Sequence, residues 1–409
     1  MEEGVRTTFW AEITCLHMAS CLRRRFLWKT GGVFSCRRAF KGKKGYIRLG
    51  YDGTTMRNRD ENGRNWVMTN RNASASDFGW DFQHNAAIVL VLKNIKNDFK
   101  SVRVEGATED IEINFNDGEI SYIQAKASES PEQDTNVKSK LEKALESLND
   151  ASRQSNVKSL VFTTNNHIYP FNHAKKDKDP YISGRTSLKY SELSANSQKI
   201  IDGIIKNKKL SNIKIKKEKL SVEVIPFYGD DDDNRYKEIY KSVENFMDDV
   251  ANRNIAKKQI LEKLQLKFQK NASKKDVNIT LTKEDIVWCI IAVICDSGNE
   301  FVTDEMIDEE FDGDYGLRDS VKEKYGFVIE DSSHKFQLIS KVFAEYQKYK
   351  MLDKTKKYID FIKLNWNLFT DYFTDVESDQ QKMLIYMILG KIFNNRSVIN
   401  NIRENVGGV

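Results

Sequence analysis

The chain of 409 residues carries 65 Lys and Arg against 60 Asp and Glu, a formal net charge of +5, with 40% hydrophobic and 31% charged residues. That is long enough for two or three domains and describes a globular protein, and no run approaches the ~18 apolar residues of a membrane span. The longest apolar run, IVWCIIAVIC at 286–295, is expected as a buried helix, and the chain as cytoplasmic with no membrane partner.

The basic excess is local. Residues 1–67 hold 14 basic against 6 acidic residues, net +8, whereas the remainder holds 51 against 54, net −3. This segment also contains Cys15, Cys21 and Cys36, three of the five cysteines, without the C-x-x-C pairing of a structural zinc site. It lacks the continuous apolar core of a secretory signal, and Glu2, Glu3 and Glu12 argue against a mitochondrial presequence. No period of 3.6 or 2 persists through it. Residues 1–67 are therefore expected to be a disordered or spurious extension, with the functional chain beginning near Met68. The two remaining cysteines, Cys289 and Cys295, read as core residues in a reducing compartment.

After Met68 the elements become legible. Asp77 is placed to cap a helix opening at FGWDFQHNAAIVLVLKNI, where Phe78, Phe82, Ala86, Val89 and Leu90 share a face and Gln83 sits one residue off it. SVRVEG at 101–106 and TEDIEINF at 108–115 read as strands, NDG at 116–118 as a hairpin turn, and EISYIQAKA as the returning strand. An amphipathic helix over 137–151 and a buried strand over 157–164 follow. The order is helix, three strands, helix, strand, an α/β (α+β) arrangement over residues 68–228.

Further along, TTNNHIYPFNH offers Asn165, Asn166, His167 and His173. No second His or Cys cluster completes a metal site with them, so a loop leaving the strand is expected. His84 reads as a half-buried packing or surface histidine. In NIKIKK, at 212–217, isoleucines alternate with lysines, the pattern of a strand whose basic face either holds DNA phosphates or blocks edge pairing. The run GDDDDN at 229–234 lacks the glycine and glutamate of a calcium loop and reads as an acidic linker. Beyond it, residues 235–409 are expected as an all-α helical domain for sensing or oligomerisation. Thr282 and Asp285 form a capping pair there, and Trp366, Phe369, Tyr372 and Phe373 form a core stripe.

Chemistry concentrates at the hairpin. Strand side chains alternate faces, so Asp110 and Glu112 share one face and Gln124 and Lys126 share one of the next strand. Pairing brings an acid, an amide oxygen and a lysine to one sheet edge. Phosphodiester hydrolysis needs oxygen ligands for Mg²⁺ and a cation that orients water and offsets charge. A solvated hairpin also accounts for Gln124 and Lys126.

The spacing of Asp110 to Gln124-Ala-Lys126 resembles the PD-(D/E)XK nuclease superfamily, in the variant where Gln replaces the second acid. More narrowly, GWDFQ at 79–83 with VEGATEDIEI and YIQAKA resembles the double-stranded-DNA endonuclease domain of bacterial anti-phage effectors, including those paired with cyclic-oligonucleotide signalling. The resemblance covers roughly residues 76–225. It implies a restriction-endonuclease-like αβββαβ core, Mg²⁺-dependent cleavage of double-stranded DNA, Asp110 and Gln124 at the metal, Lys126 in catalysis, and Glu105 and Gln83 as supporting residues. Homo-oligomerisation and a regulatory partner or ligand are expected through the helical domain. The alternative is a non-catalytic assembly protein with a degenerate nuclease-like sheet.

Overall fold

The computed structural model describes residues 56–59, 65–68, 71–131, 134, 136–166, 185–250, 257–297, 307, 309–311, 315–330, 335–374 and 376–407. The chain divides into two compact units, Met1–Ser76 and Asp77–Val409. In the first, β1 (Met56–Arg59) pairs antiparallel with β2 (Asn65–Met68), Asn58 opposite Trp66. The lack of periodicity gave no sign of this pair. Residues 1–55, with the three cysteines, lie outside the described residues.

Helix α1 (Arg71–Asn94) begins six residues before the expected cap, so Asp77 lies within it. The predicted stripe is buried, but so are Ala87, Ile88, Val91 and Leu92. From Asn85 to Leu92 the helix is buried on every side. A helix enclosed all round carries no polar face, and its periodicity fades.

Next come β3 (Phe99–Val104), β4 (Ile111–Phe115) and β5 (Ile120–Lys126), then α2 (Val137–Ala151) and β6 (Val157–Thr164). The order from α1 is thus αβββαβ. The β4–β5 turn follows the NDG signal: Gly118 has φ of 82° and its amide donates to the Phe115 carbonyl at 3.1 Å. With β7 (Thr186–Lys189), β8 (Leu220–Val224) and β9 (Leu281–Thr282), these strands form a seven-stranded mixed sheet ordered β7-β8-β6-β5-β4-β3-β9. Strands β5, β6 and β8 are mutually parallel, and the other neighbours are antiparallel.

Alternation along the strands separates two cores. Val102, Val104, Ile111, Ile113, Ile123 and Val161 join the cluster containing α1. Tyr122, Leu160, Phe162, Val222 and Val224 face the other way, towards α2 and α3 (Ala195–Asn207).

NIKIKK is not a strand. Residues Ser211–Ile215 form a short helix, α4, in which Ile213 is buried while Ile215 is 76% exposed. The cause is a buried cap from α2: Asn149 Oδ1 accepts the amides of Asn212 at 3.1 Å and Ile213 at 3.2 Å. A two-faced basic strand for phosphates therefore does not form.

The acidic run leads into α5 (Asp232–Arg235), where Asp231 accepts from the Asn234 amide. Packing continues across it. Helix α6 (Lys237–Val250) buries Ile239, Val243, Phe246 and Met247 in the cluster that contains α1, and α7 (Lys257–Ala272) packs against β3. Residue 281 onward supplies β9 to the sheet edge and then α8 (Lys283–Ser297), capped by the predicted pair: the Asp285 amide donates to Thr282 Oγ1 at 3.1 Å, and Asp285 Oδ2 accepts the Thr282 amide at 3.0 Å.

Helices α9 (Tyr315–Glu330), α10 (Lys335–Leu352), α11 (Tyr358–Asn365), α12 (Ser378–Asn394) and α13 (Arg396–Asn405) complete the unit. Cys289 and Cys295 are buried and unpaired with each other, and Phe369 and Phe373 are core. Among the described residues no helix is long and apolar enough to cross a membrane.

Candidate functional site

The β4–β5 register sets Ile111 opposite Ile123 and Glu112 opposite Tyr122. Carried one residue further, it brings Asp110 to Gln124 at the end of the sheet where β5 finishes. There Asp110 Oδ2 accepts from the Gln124 amide nitrogen, from the Ala125 backbone amide at 2.9 Å and from Lys126 Nζ at 3.3 Å. Three donors on consecutive residues of one strand thus converge on one carboxylate oxygen. Asp110 and Lys126 are about a quarter and a third exposed, whereas Gln124 is buried.

The backbone around Asp110 is fixed as closely as its side chain. Its carbonyl accepts from Gln83 Nε2 on α1 at 2.9 Å and from the Glu105 amide at 2.8 Å. Glu105 has φ of 55°, a left-handed conformation costly for a residue with a Cβ, and reverses the chain between β3 and the turn. Within that turn the Gly106 amide donates to the Glu109 carbonyl at 3.0 Å, while Glu112 Oε1 accepts the amides of Thr108 at 2.7 Å and Glu109 at 3.3 Å. A Cβ on Gly106 would fall 2.5 Å from the Glu112 carboxyl carbon, so glycine leaves the space that carboxylate occupies.

The structure therefore brings together Gln83, Asp110, Gln124 and Lys126. The Glu105 side chain is exposed and makes no hydrogen bond or ion pair among the described residues, so its backbone, rather than its carboxylate, meets Asp110.

One residue at the site went unnoticed in the sequence. Glu109 is 4% exposed; its Oε1 accepts from Ser147 Oγ of α2 at 2.9 Å, and its Oε2 has no partner among the described residues. Burial pushes its pKa up to about 8, with the Asp110 and Glu112 charges adding to the rise and Ser147 and Lys126 opposing it. It immediately precedes Asp110, and an acid before a strand reads as a solvated loop residue. Only the partner on α2 reveals its burial.

A pH dependence follows. Between about 4.5 and 8 the unfolded chain gives up the Glu109 proton while the fold retains it, so stability falls as pH rises through that window. With a chelator present, Glu109→Gln should flatten this fall, read as melting temperature at pH 5, 6.5 and 8. An unchanged slope would show that Glu109 ionises normally.

The donor set suits one kind of cation. Asp110 Oδ1 accepts no hydrogen bond among the described residues, and turning over the Gln124 amide would present its oxygen beside that carboxylate. Among those residues no three His, Cys, Asp or Glu side chains gather as a metal site. One carboxylate and one amide oxygen fit Mg²⁺, which keeps several waters, and do not fit Zn²⁺, which takes a fuller set of N and S ligands.

The other candidates lie elsewhere. Half-buried His84, its pKa lowered by burial, lines a cleft with Asp77, Trp80, Asp81, Asn85 and Gln265. Asn165 is a clamp: Nδ2 donates to the carbonyls of Ser128 at 2.7 Å and Phe227 at 2.6 Å, and Oδ1 accepts the Ser128 amide at 3.0 Å. It ties together the chain leaving β5, β6 and β8. Asn166 is buried and donates to the Pro131 carbonyl at 3.1 Å. His167 and His173 fall outside the described residues.

No family model matches the chain, and no curated protein matches it. Similar solved structures include the Acinetobacter baumannii Cap4 SAVED/CARF-domain containing receptor, at 11% identity over 53% of this chain and 46% of that one, with a TM-score of 0.34. The Moraxella osloensis Cap4 SAVED/CARF-domain containing receptor is similar at 12% identity over 53% and 47%, also with a TM-score of 0.34. The matches span less than half the length of those chains, and likeness at this level establishes neither fold nor function here.

Proposed function

We propose that this chain is a metal-dependent endonuclease of double-stranded DNA, built on a restriction-endonuclease-like core formed by α1 to β6. The observation that carries this reading is the convergence of Gln124, the Ala125 amide and Lys126 on one oxygen of Asp110. A solvated hairpin needs no such focus, and Gln83 reaching from α1 to the Asp110 carbonyl makes the focus a rigid one.

In this reading Asp110 and Gln124 hold Mg²⁺, which when bound polarises the scissile phosphate. Lys126 orients the attacking water and offsets charge developing on the phosphate. Gln83 fixes the Asp110 backbone, so that carboxylate and ammonium are placed before substrate arrives. The resemblance of GWDFQ, VEGATEDIEI and YIQAKA extends the proposal to an effector of anti-phage defence. The helices after residue 235 are the proposed place for self-association or for a regulatory partner or ligand.

One observation favours a second reading, a non-catalytic assembly protein. The Gln124 amide turns its nitrogen, not its oxygen, to Asp110 Oδ2, and among the described residues that leaves one carboxylate to attract a cation. Purified protein incubated with supercoiled plasmid separates the two. Nicked and linear products with Mg²⁺, abolished by a chelator, are expected. Intact plasmid across Mg²⁺ and Mn²⁺ titrations would leave the assembly reading standing.

A further inference from the structure

The guanidinium of Arg103 lies on β3 at 2% exposure and, among the described residues, has no carboxylate in ion-pair reach and donates to backbone carbonyls alone. One carbonyl belongs to Glu105, at 3.1 Å, in the turn that carries Asp110. The others belong to the end of α7 and the segment after it: Asn271, Lys274 at 2.7 Å and Ile279 at 3.2 Å. Asn271 adds a second tie, its Oδ1 accepting the Val104 amide at 3.0 Å and its Nδ2 donating to the Ile279 carbonyl at 2.8 Å.

Burying an arginine is costly even with the charges of Asp276, Glu105 and Glu112 acting on it from beyond ion-pair distance, since burial still holds its pKa below the ordinary value. Asn271 reaches only the Val104 amide on the β3 side; the Glu105 carbonyl in the turn is reached by Arg103. The planar fork of a guanidinium holds carbonyls on both sides at fixed angles. Here one side is the strained residue whose amide holds the Asp110 carbonyl, and the other is the helical part of the chain.

We infer that Arg103 is a positioning residue: it couples the 271–279 segment to the turn 105–110 and thereby sets the placement of Asp110. The chain of bonds runs from the Asn271 and Lys274 carbonyls through Arg103 to the Glu105 carbonyl, and from the Glu105 amide to Asp110. A displacement of α7 therefore reaches the candidate site without any contact between them. The inference deepens the nuclease reading and rests on it for the catalytic consequence, but not for the coupling itself.

Arg103→Lys tests it, because an ammonium keeps the charge and donates from a single point. Hydrogen exchange at the Glu105 and Gly106 amides should accelerate at least tenfold, while the central-strand amides of Ile123 and Phe162 stay unchanged. Cleavage by this variant should lose at least tenfold in kcat with KM for DNA unchanged, a split that general loosening of the fold would not give. Unchanged exchange at Glu105 and Gly106 in folded Arg103→Lys overturns the coupling. If that variant does not fold, Arg103→Gln decides by the same two amides, since a shorter neutral amide cannot span from the Glu105 carbonyl to the 271–279 segment while the Asn271 tie to Val104 stays in place. A wild-type protein that cuts no DNA defeats the nuclease reading alone, and the exchange measurement still decides the coupling.

Discussion

Lys126→Ala should reduce plasmid cleavage by at least about 100-fold, the scale of removing one preorganised electrostatic contact at a reacting phosphate. Its melting temperature should barely move. Lys126 is about a third exposed and its contact with Asp110 is 3.3 Å, a pairing of the kind worth about 1 kcal/mol or less. Asp110 Oδ2 keeps the Gln124 and Ala125 donors, so no buried group is orphaned by the change. Loss of activity with an unchanged fold therefore assigns the ammonium to chemistry. A purified variant that turns over like wild type would remove Lys126 from the mechanism.

The elements around the site could be read from the sequence because each has a local cause. The NDG turn fixes the hairpin register, and that register alone brings Asp110 to Gln124. Alternation of Ile111 and Ile113 with Glu112 sorts the faces, and 137–151 and 157–164 carry periods strong enough to give their ends. What was misread depends on distant partners. The helix at 211–215 is decided by Asn149, more than sixty residues upstream, and the alternation of Ile and Lys there carried no structural meaning. Glu109 is buried by Ser147 across a helix, and Arg103 is held by carbonyls about 170 residues away. Neither acquires its role from its neighbours in the chain.

The same distinction bears on the acids. Asp110, Glu112, Glu109 and Glu105 lie within eight residues, and composition cannot rank them. Geometry can. Glu112 is engaged with the Thr108 and Glu109 amides, Glu109 is enclosed against α2, and the Glu105 carboxylate is exposed, its charge acting on Arg103 rather than at Gln124 and Lys126. That leaves Asp110 as the acid whose carboxylate faces Gln124 and Lys126 together, with one oxygen uncommitted.

Substitutions at Asp110 and Gln124 should accordingly separate charge from shape. Asp110→Asn keeps an acceptor for the Ala125 amide and should fold, yet lose cleavage at every Mg²⁺ concentration, because the site's anionic ligand is gone. Asp110→Ala should also destabilise the protein by about 1–3 kcal/mol, since the buried Gln124 amide and the Ala125 amide lose their acceptor together. Gln124→Ala removes a neutral ligand and should retain measurable cleavage, with half-maximal activity shifted to higher Mg²⁺. Gln124→Glu supplies a second carboxylate where the amide stands, so it should move that midpoint to lower Mg²⁺ while weakening the metal-free fold through repulsion with Asp110. The four variants, compared by Mg²⁺ titration of plasmid cleavage and by melting with a chelator, form one test. If Asp110→Asn cuts normally at low Mg²⁺, the ion is held elsewhere, and the convergence on Asp110 is a structural clamp rather than a metal site.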